Sequence, residues 1–477
     1  MPKIFLFALD GATWEVINPL LEKGELPTLR HFIEKGSKAS LRSLPGYKSP
    51  SLWTSIATGK LPEETGISYF SNLFLEVPLV NLKCNITNNF FIKWPYLLGK
   101  QFSKDPKKPT QFGTLTKQMY IYTQEKLGQL LKKLRLGGNY LVTSTFRKEK
   151  AFWEIFNEAG KSCGIVGWLA TWPPDKIRGC MVCPNACSLF MKTLTSENRK
   201  ERKGTEPLTY PDYVIEELES FNRFDALSPE RLDAIFRLKH LSDQERKDLC
   251  SNDYDPTNLL KFSRHMMHTD EFFLKAAEQV AHKFNPDILA VYLPGIDGFQ
   301  HLFWRYHQPD QFLFSPPKNE ELQKYGEVIN NYYKHLDARL GALLQNEKNA
   351  VVIVASDHGI AAIPEKDFNP KSPRSGQHEN SPDGILIIKG PMIKEGETIK
   401  EAHLLDLVPT LLYLSGLPVD ERMPGRVLTE AITEEFLREN HLQKNRYEKR
   451  KVSETFYRPE EEQSEREVLK KLGYLKN

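Results

Sequence analysis

Three apolar segments of the sequence each run into an aspartate. The aspartates are Asp10 in "FLFALDG", Asp297 in "VYLPGIDG" and Asp357 in "VVIVASDHG". A single aspartate after a strand is usually a turn residue or a helix cap. Three carboxylates at one edge of a sheet would repel one another unless a cation lay among them, and aspartate with histidine is a common donor set for divalent metals. Because His358 directly follows Asp357, we interpret the pattern as a metal cluster.

Two further histidines have positions that would let them join this cluster. Asp297 and His301 are four residues apart in "DGFQH", so a strand ending at Asp297 and a helix starting behind it would aim both side chains at one point. His378 lies in the loop "SGQHENSPDG", which could swing over the same crevice. Three other histidines lie in helical patterns without a carboxylate partner, and we expect them to lie away from the cluster: His307, His335 and His403.

A candidate nucleophile lies in "GYKSPSLWTSIATG" (46–59). Ser49 followed by Pro50 predicts a helix with serine as N-cap and proline in the first helical position, ending at Gly59. A hydroxyl there faces unpaired backbone N–H groups and the positive end of the helix dipole, which favours an alkoxide and a bound phosphate. Ser49 could also be a simple cap. Lys48 beside it could contact a phosphate, or be an ordinary exposed lysine.

The elements that must position these residues follow one repeated pattern. Near-continuous apolar runs that end in turn residues predict strands buried on both faces. The predicted strands lie within 3–11, 162–174, 286–298, 350–359 and 384–391. Helical patterns occupy 269–284 and 320–345. Strands alternating with helices predict an α/β fold with a doubly wound, mostly parallel central sheet flanked by helices, in which the carboxyl ends of the strands line a crevice.

Two stretches interrupt this pattern. Residues 81–150 mix Asn, Lys, Pro and aromatic residues, and residues 192–262 are strongly charged, so we interpret both as insertions, the second as a cap. We expect them to set specificity. The tail over 431–477 is mostly charged and is predicted to be helical or flexible. The remaining residues would form the catalytic core: 1–80, 151–191 and 263–430.

Composition excludes several classes of function. The 477 residues are 40% hydrophobic and 27% charged, as in ordinary globular proteins with a sizeable core. Lys plus Arg is 65 and Asp plus Glu is 62, so the net charge of +3 gives no reason to expect a nucleic-acid or membrane partner. The start "MPKIFLFALDG" is too short in apolar residues for a secretory signal, and no apolar run could span a bilayer. We therefore expect a cytoplasmic protein.

The cysteines give a second, weaker indication of metal binding. The segment "CMVCPNAC" contains Cys180, Cys183 and Cys187, a spacing that can bind zinc or an iron–sulfur cluster. In this half of the chain only Cys163 and Cys250 could supply a fourth thiolate, and neither forms a second CxxC. We favour small buried residues on a strand and a turn.

Together these motifs resemble the type I phosphodiesterase/nucleotide pyrophosphatase branch of the alkaline phosphatase superfamily. The resemblance runs in order through "ALDG", "SPSLWTSIATGKLPEETGI", "VYLPGIDGFQH", "VASDHG", "SGQHENSPDG" and "LLDLVPTLLYLSGLP". It covers roughly residues 1–80 and 285–425. It implies an alkaline phosphatase-like fold and two divalent metal ions, usually Zn²⁺, with Mn²⁺ as an alternative.

The resemblance also implies roles for individual residues. One ion would be held by Asp10, Asp357 and His358 and would contact the nucleophile Ser49, and the other would be held by Asp297, His301 and His378. Ser49 would attack phosphorus in line and form a covalent phosphoserine that water then hydrolyses. The expected substrate is a small-molecule phosphate ester, with diesters or pyrophosphates favoured and Lys48 as a substrate contact.

Departures from the family pattern keep other activities open. Many members use Thr where this chain has Ser49, and the nucleotide-cleaving animal enzymes have Asn and His where it has Leu52 and Thr65. These changes leave the metal ligands intact but put nucleotide specificity in doubt. Alternatives on the same scaffold are a phosphomonoesterase or phosphomutase, and a catalytically silent binding protein. A sulfatase is disfavoured, because "KSPSLW" lacks the arginine that formylglycine formation requires.

Overall fold

The computed structural model of the protein describes most of the predicted core. The described residues are 2–67, 69–77, 82–85, 123, 126–131, 133–134, 137–187, 206–221, 227–253, 255, 257–452, 455–456, 462–463 and 466. Most of the predicted insertion at 81–150 and part of that at 192–262 lie outside the described residues.

The described strands and helices have the following bounds. The strands are β1 (Ile4–Leu9), β2 (Gly36–Arg42), β3 (Ser71–Val77), β4 (Leu82–Asn85), β5 (Gly137–Leu141), β6 (Cys163–Val166), β7 (Gly179–Val182), β8 (Thr209–Tyr210), β9 (Ile288–Leu293), β10 (Val351–Ala355), β11 (Ala361–Ala362), β12 (Gly376–Gln377), β13 (Gly384–Lys389), β14 (Glu397–Thr398), β15 (Ala402–His403), β16 (Val419–Asp420) and β17 (Lys444–Asn445). The helices include α1 (Trp14–Glu22), α2 (Pro27–Glu34), α3 (Ser49–Thr58), α4 (Pro62–Thr65), α5 (Phe152–Glu158), α6 (Val214–Leu218), α7 (Pro229–Phe236), α8 (Asp243–Cys250), α9 (Leu259–Phe284), α10 (Gly295–His307), α11 (Asn319–Tyr325), α12 (Val328–Leu344), α13 (Leu407–Leu414) and α14 (Glu434–Glu439).

The central sheet has the predicted doubly wound, mostly parallel form. Its strand order is β14-β2-β13-β10-β1-β9-β6-β7-β8, and β15 also pairs with β2. The five strands from β10 to β7 are mutually parallel, whereas β13 and β8 run antiparallel to their neighbours β10 and β7. The register aligns Leu6 of β1 with Ile353 and Ala290 on either side, so β1, β9 and β10 end at the same edge.

Helices cover both faces of this sheet, which explains why its strands are apolar throughout. All six residues of β1 are buried. Phe5, Phe7 and Leu9 pack with α9, α10 and α12 on one face, and the alternate residues pack with α3, α5 and α13 on the other. Burial of both faces favours continuous apolar strands over alternating ones.

Two predicted helices have different bounds. The helix predicted over 269–284 starts at Leu259, because Asn258 caps it by accepting hydrogen bonds from the N–H groups of Leu260 and Lys261. The pattern over 320–345 is two helices, α11 and α12, separated at Gly326. The apolar periodicity continues across this break, so the sequence alone does not reveal it.

The described parts of the cap region and the tail pack on the core. Leu232, Ile235 and Phe236 of α7 belong to the same buried cluster as the central sheet. The tail contributes α14 and the strand β17, which pairs with β16. Within the described residues, no helix has the length and apolarity needed to cross a bilayer.

Candidate active site

Asp10 and Asp357 come together because they follow neighbouring parallel strands. Asp10 directly follows Leu9 at the end of β1, and Asp357 lies two residues beyond Ala355 at the end of β10. The Asp10 N–H donates to the carbonyl oxygen of Leu293 at 3.1 Å, which fixes this turn against β9. The carboxyl ends of these strands therefore supply acidic groups to one crevice, as the fold class predicts.

Asp297 joins this crevice from a helix. The prediction that a strand ends at Asp297 is wrong, because β9 ends at Leu293 and Asp297 lies in the first turn of α10. The spacing of four residues then places His301 one turn later on the same helix face. Its Nε2 is 3.4 Å from Asp297 Oδ2.

His378 reaches the same point from the loop after β12. Its Nε2 lies 2.9 Å from Asp297 Oδ1 and 2.8 Å from His301 Nε2. The loop approaches α10 so closely that a Cβ at Gly376 would lie 2.6 Å from the Gln300 carbonyl oxygen. Glycine, which has no Cβ, avoids this clash. His301 Nδ1 is 2.6 Å from the Gly376 carbonyl oxygen, so this nitrogen donates and Nε2 faces the crevice.

His358 connects the acidic pair to this second group. Its Nε2 is 3.4 Å from both Asp10 Oδ1 and Asp357 Oδ2, and its ring centroid is 4.2 Å from that of His378. The described residues contain two sets of three side chains, and within each set the potential ligand atoms lie within 4.8 Å of one another. They are Asp10, Asp357 and His358, and Asp297, His358 and His378. His358 thus belongs to both sets and His301 flanks the second.

Ser49 lies beside His358. Its Oγ is 3.5 Å from His358 Nε2, and the side chain is buried. The prediction that Ser49 is the N-cap is wrong by one residue, because Lys48 occupies that position and Ser49 begins α3. The hydroxyl therefore points to the crevice at the positive end of the helix. The helix ends at Gly59 with φ of 66°, as predicted.

Two donors that the sequence analysis missed hold one oxygen of Asp10. Trp53 Nε1 donates to Asp10 Oδ2 at 3.3 Å, and the Tyr292 hydroxyl donates to the same oxygen. Trp53 lies one turn after Ser49 on α3, a spacing that could have indicated a shared face. Tyr292 lies within a buried strand, where its aromatic ring is an ordinary core residue and gives no signal.

The other oxygen of Asp10 and both oxygens of Asp357 lack a donor in the described part of the chain. These atoms are buried. Burial raises the pKa of Asp10, with the Asp297 carboxylate as the second cause, and burial with the nearby Asp10 raises the pKa of Asp357 well above its usual value. Buried carboxylates without donors are costly unless a cation satisfies them, so this donor set fits divalent metal ions.

In the group formed by Asp297, His301 and His378, the pKa of the carboxyl is lowered rather than raised. Burial opposes ionisation of Asp297, but His301 and His378 outweigh it and hold its pKa well below the usual value. Burial, followed by the neighbouring His358, lowers the pKa of His378 to about 3. Asp297 is therefore ionised and His378 is neutral near pH 7, and these are the protonation states in which carboxylate and imidazole bind metals.

Three charged side chains lie at the rim. Lys48 Nζ is 3.1 Å from Glu379 Oε1, an ion pair between side chains that are 22% and 64% exposed. It links the residue before Ser49 to the residue after His378. Arg374 Nη2 lies 3.1 Å from Nδ1 and 3.3 Å from Nε2 of His301. Neither Glu379 nor Arg374 was predicted, because a single charge in a polar loop has no periodicity to identify it.

The three histidines that were predicted to lie away from the site are outside its ligand sets. The prediction that His335 lacks a carboxylate partner is wrong, since its Nε2 is 3.0 Å from Glu271 Oε1. His403 Nδ1 accepts the N–H of Leu405 at the start of a short turn. Neither these residues nor His307 belong to the ligand sets found among the described residues.

The described cysteines of "CMVCPNAC" are buried thiols outside those ligand sets as well. Cys183 Sγ donates to the Thr171 carbonyl oxygen at 3.1 Å. Burial raises the pKa of the Cys180 thiol to about 12, which keeps it protonated. These properties fit the interpretation of small core residues.

Comparisons with known proteins give both local and overall similarity. The chain is 34% identical over 102 residues to a 2,3-bisphosphoglycerate-independent phosphoglycerate mutase of Cereibacter sphaeroides, covering 20% of this chain and 19% of that enzyme. It is 33% identical over 113 residues to arylsulfatase K of Canis lupus familiaris, covering 22% of this chain and 20% of that protein. It therefore spans about a fifth of the length of these curated relatives.

Murine ectonucleotide pyrophosphatase/phosphodiesterase 5 is a similar solved structure, with 13% identity and a TM-score of 0.41 over 87% of this chain and 95% of that one. The sequence also matches the family described as type I phosphodiesterase/nucleotide pyrophosphatase over residues 4–374. That range contains Asp10, Ser49, Asp297 and Asp357, and it is most of the chain. The chain belongs to the type I phosphodiesterase/nucleotide pyrophosphatase family.

Proposed function

We propose that this protein is a metal-dependent phosphohydrolase that cleaves small-molecule phosphodiesters or pyrophosphates through a covalent phosphoserine on Ser49. The observation that carries the proposal is the set of buried carboxylate oxygens of Asp10 and Asp357 without donors, beside a hydroxyl at a helix N-terminus. Burying such charges next to one another has no benefit for folding alone. The buried carboxylates are explained if cations bind between them and an anionic substrate binds to the cations.

Seven side chains would hold two divalent ions. One would be bound by Asp10, Asp357, His358 and the Ser49 oxygen, and the other by Asp297, His301 and His378. The mixed carboxylate and imidazole donors suit Zn²⁺ and also admit Mn²⁺. When bound, such ions supply Lewis acidity that lowers the pKa of a coordinated hydroxyl and neutralises phosphoryl oxygens.

The chain itself supplies the nucleophile and its orientation. Ser49 Oγ forms the new bond to phosphorus while the bond from phosphorus to the leaving oxygen breaks, and the leaving group keeps the electron pair. The hydroxyl proton passes to solvent. The positive end of the α3 dipole favours the negative charge that accumulates on the phosphoryl oxygens. Water then hydrolyses the phosphoserine and regenerates the hydroxyl.

Lys48 would contact the phosphoryl group from the nucleophile's side. Its ion pair with Glu379 holds the ammonium group at the rim, next to Ser49. The insertions at 81–150 and 192–262 would determine the remainder of the substrate.

Hydrolysis of two chromogenic esters tests the proposal. Bis-p-nitrophenyl phosphate reports diesterase activity and p-nitrophenyl phosphate reports monoesterase activity, each with added Zn²⁺ or Mn²⁺. We expect faster turnover of the diester. Faster turnover of the monoester would indicate a phosphomonoesterase or phosphomutase instead. No turnover, together with no bound metal by elemental analysis, would indicate a silent binding protein.

A further inference from the structure

Trp53 joins the helix that carries Ser49 to the carboxylate of Asp10. The indole lies one turn after Ser49 on α3, and its Nε1 donates to Asp10 Oδ2 at 3.3 Å. Both side chains are buried, and the two residues are 43 positions apart in the chain. This hydrogen bond therefore links the helix of the candidate nucleophile directly to the turn that follows β1.

Tyr292 donates to the same oxygen of Asp10 from the neighbouring strand. It lies on β9, where the parallel register pairs it with Ala8, two residues before Asp10. The Tyr292 and Trp53 rings also pack edge to face, with centroids 5.4 Å apart and an interplanar angle of 75°. Each ring limits the movement of the other, so the two donors keep one arrangement relative to the carboxylate.

Trp168 fixes Trp53 in turn. Its Nε1 donates to the Trp53 carbonyl oxygen at 3.2 Å, and the two rings pack at nearly a right angle with centroids 5.5 Å apart. The Trp168 ring also packs on Phe152 and Trp153 of α5. The Trp53 indole therefore lies within a packed aromatic cluster, and this packing fixes the direction of its N–H.

The two oxygens of Asp10 have different surroundings. Oδ2 accepts both hydrogen bonds, from Trp53 and from Tyr292. Oδ1 lies 3.4 Å from His358 Nε2 and has no donor among the described residues. A carboxylate oxygen accepts about two hydrogen bonds, so Oδ2 is saturated and Oδ1 alone is left to bind a cation.

We infer that Trp53 and Tyr292 are positioning residues that make Asp10 a one-oxygen ligand of its metal ion. The inference rests on the proposed function, in which this ion is bound by Asp10, Asp357 and His358. With Oδ2 occupied by donors, only Oδ1 binds the ion. Trp53 also keeps this ligand at a fixed place relative to α3, the helix that carries the nucleophile.

One-oxygen binding by Asp10 affects which metal the site prefers. Zn²⁺ favours tetrahedral geometry with few ligands, which suits a carboxylate that binds through one oxygen. Mn²⁺ suits octahedral sites that are rich in oxygen ligands. Removal of a donor frees Oδ2 to bind the ion as well, but it also loosens the position of Oδ1. Zn²⁺ should therefore lose affinity, whereas for Mn²⁺ the added oxygen ligand offsets the loss.

Calorimetric titration of the chelated protein with Zn²⁺ and, separately, with Mn²⁺ tests the inference. Tyr292→Phe removes only the hydroxyl, and Trp53→Phe removes the indole N–H. In each variant we expect the Zn²⁺ affinity of one site to fall about 10- to 100-fold, the usual effect of losing a partner that orients a ligand. The Mn²⁺ affinity should fall by less than about threefold.

Two buried aromatic residues of the same apolar cluster provide matched controls. Trp153 Nε1 donates to Asp175 Oδ2 at 2.8 Å, and the Tyr413 hydroxyl donates to the Asn440 carbonyl oxygen. Neither acceptor belongs to the ligand sets of the described residues. Trp153→Phe and Tyr413→Phe therefore lose the same chemical groups as the test variants, and their affinities for both ions should stay within about threefold of wild type.

Tyr292→Phe is the deciding variant if Trp53→Phe does not fold, because it keeps the aromatic ring. An unchanged Zn²⁺ affinity in Tyr292→Phe, or equal losses for Zn²⁺ and Mn²⁺, would overturn the positioning role and leave the proposed function intact. An equal loss of Zn²⁺ affinity in the control variants would do the same. A wild-type protein that binds neither ion and hydrolyses no phosphate ester would overturn both.

Discussion

Ser49, Asp10 and Asp357 lie around the imidazole of His358, and all four side chains are buried. The carboxylates of Asp10 and Asp357 adjoin His358, and the hydroxyl of Ser49 approaches the same imidazole at 3.5 Å. Trp53 and Tyr292 satisfy only one oxygen of Asp10. Asp10 Oδ1 and both oxygens of Asp357 have no donor among the described residues, and under the proposed function metal ions would complete their coordination.

Replacement of Ser49 separates catalysis from metal binding. Ser49→Ala should abolish turnover of the preferred ester while leaving metal content by elemental analysis close to wild type, because the six proposed Asp and His ligands remain. Ser51→Ala removes a buried hydroxyl from the same helix and is the matched control, with activity retained. Activity that survives in Ser49→Ala and is lost in Ser51→Ala would move the nucleophile to Ser51.

The sequence identifies these residues better than it identifies their partners. Aspartates that follow apolar runs stand out because folding requires only a turn there. Trp53 and Tyr292 are indistinguishable in sequence from core aromatic residues, and Arg374 is one charge in a polar loop. Their roles depend on distances between segments that are far apart in the chain, which local patterns do not contain.

At the scale of elements, two turns meet closely at the edge of the sheet that carries Asp10 and Asp357. Gly11 has φ of 73°, and a Cβ on it would lie 3.0 Å from the Cα, Cβ and Oδ1 of Asp297. The Gln300 side chain of α10 also donates to the Gly11 carbonyl oxygen at 2.7 Å. The turn after β1 therefore fixes the position of α10, and with it the position of Asp297.

A pair of glycine substitutions tests this contact. Gly11→Ala and Gly24→Ala both place alanine at positive φ, which costs about 1 kcal/mol of stability. Gly24 has φ of 74° and nothing within 4 Å of an added Cβ, so only Gly11→Ala displaces Asp297. We expect metal affinity, measured by calorimetric titration, to fall roughly 10-fold or more in Gly11→Ala and to be unchanged in Gly24→Ala. Equal affinities in the two variants would contradict this account.

Elements buried on both faces could be predicted more reliably than their ends. The apolar runs locate β1, β9, β10 and β13, because strands between two helical layers have no polar face. Their ends depend on local hydrogen bonds instead. The helix α10 starts at Gly295 with Pro294 as its N-cap, so the strand ends before Asp297. The helix α3 begins at Ser49, one residue before the predicted start, and Ser49 faces His358 instead of capping the helix.

At the scale of the whole molecule, the C-terminal segment is fastened to the core by buried charge. Arg450 Nε donates to Glu154 Oε1 at 3.0 Å, and its guanidinium also contacts Asp175. Arg147 donates to the same Asp175 at 2.6 Å. The Arg450 side chain is 8% exposed. The predicted flexible or helical tail is therefore ordered at this point, with the segment around Arg147 as its partner.

Two neighbouring residues of the tail should contribute very differently to stability. Arg450→Ala leaves buried carboxylates short of a partner and should lower the free energy of unfolding by about 3 kcal/mol. The adjacent Lys449 pairs with Glu149 but is 64% exposed, so Lys449→Ala should cost less than about 1 kcal/mol. Denaturant unfolding measures both values. Similar values for the two variants would show that the buried cluster does not secure the tail.

Metal content is the most direct test of the central claim that divalent ions neutralise converging carboxylates. Elemental analysis of the purified protein, before and after chelation and reloading with Zn²⁺ or Mn²⁺, should give two ions per chain in the active protein, with activity lost and regained in step. Asp357→Asn should lose one of them. A protein that hydrolyses phosphate esters at full rate with less than about 0.1 ion per chain would contradict the account, since such a stoichiometry is incompatible with two-metal catalysis.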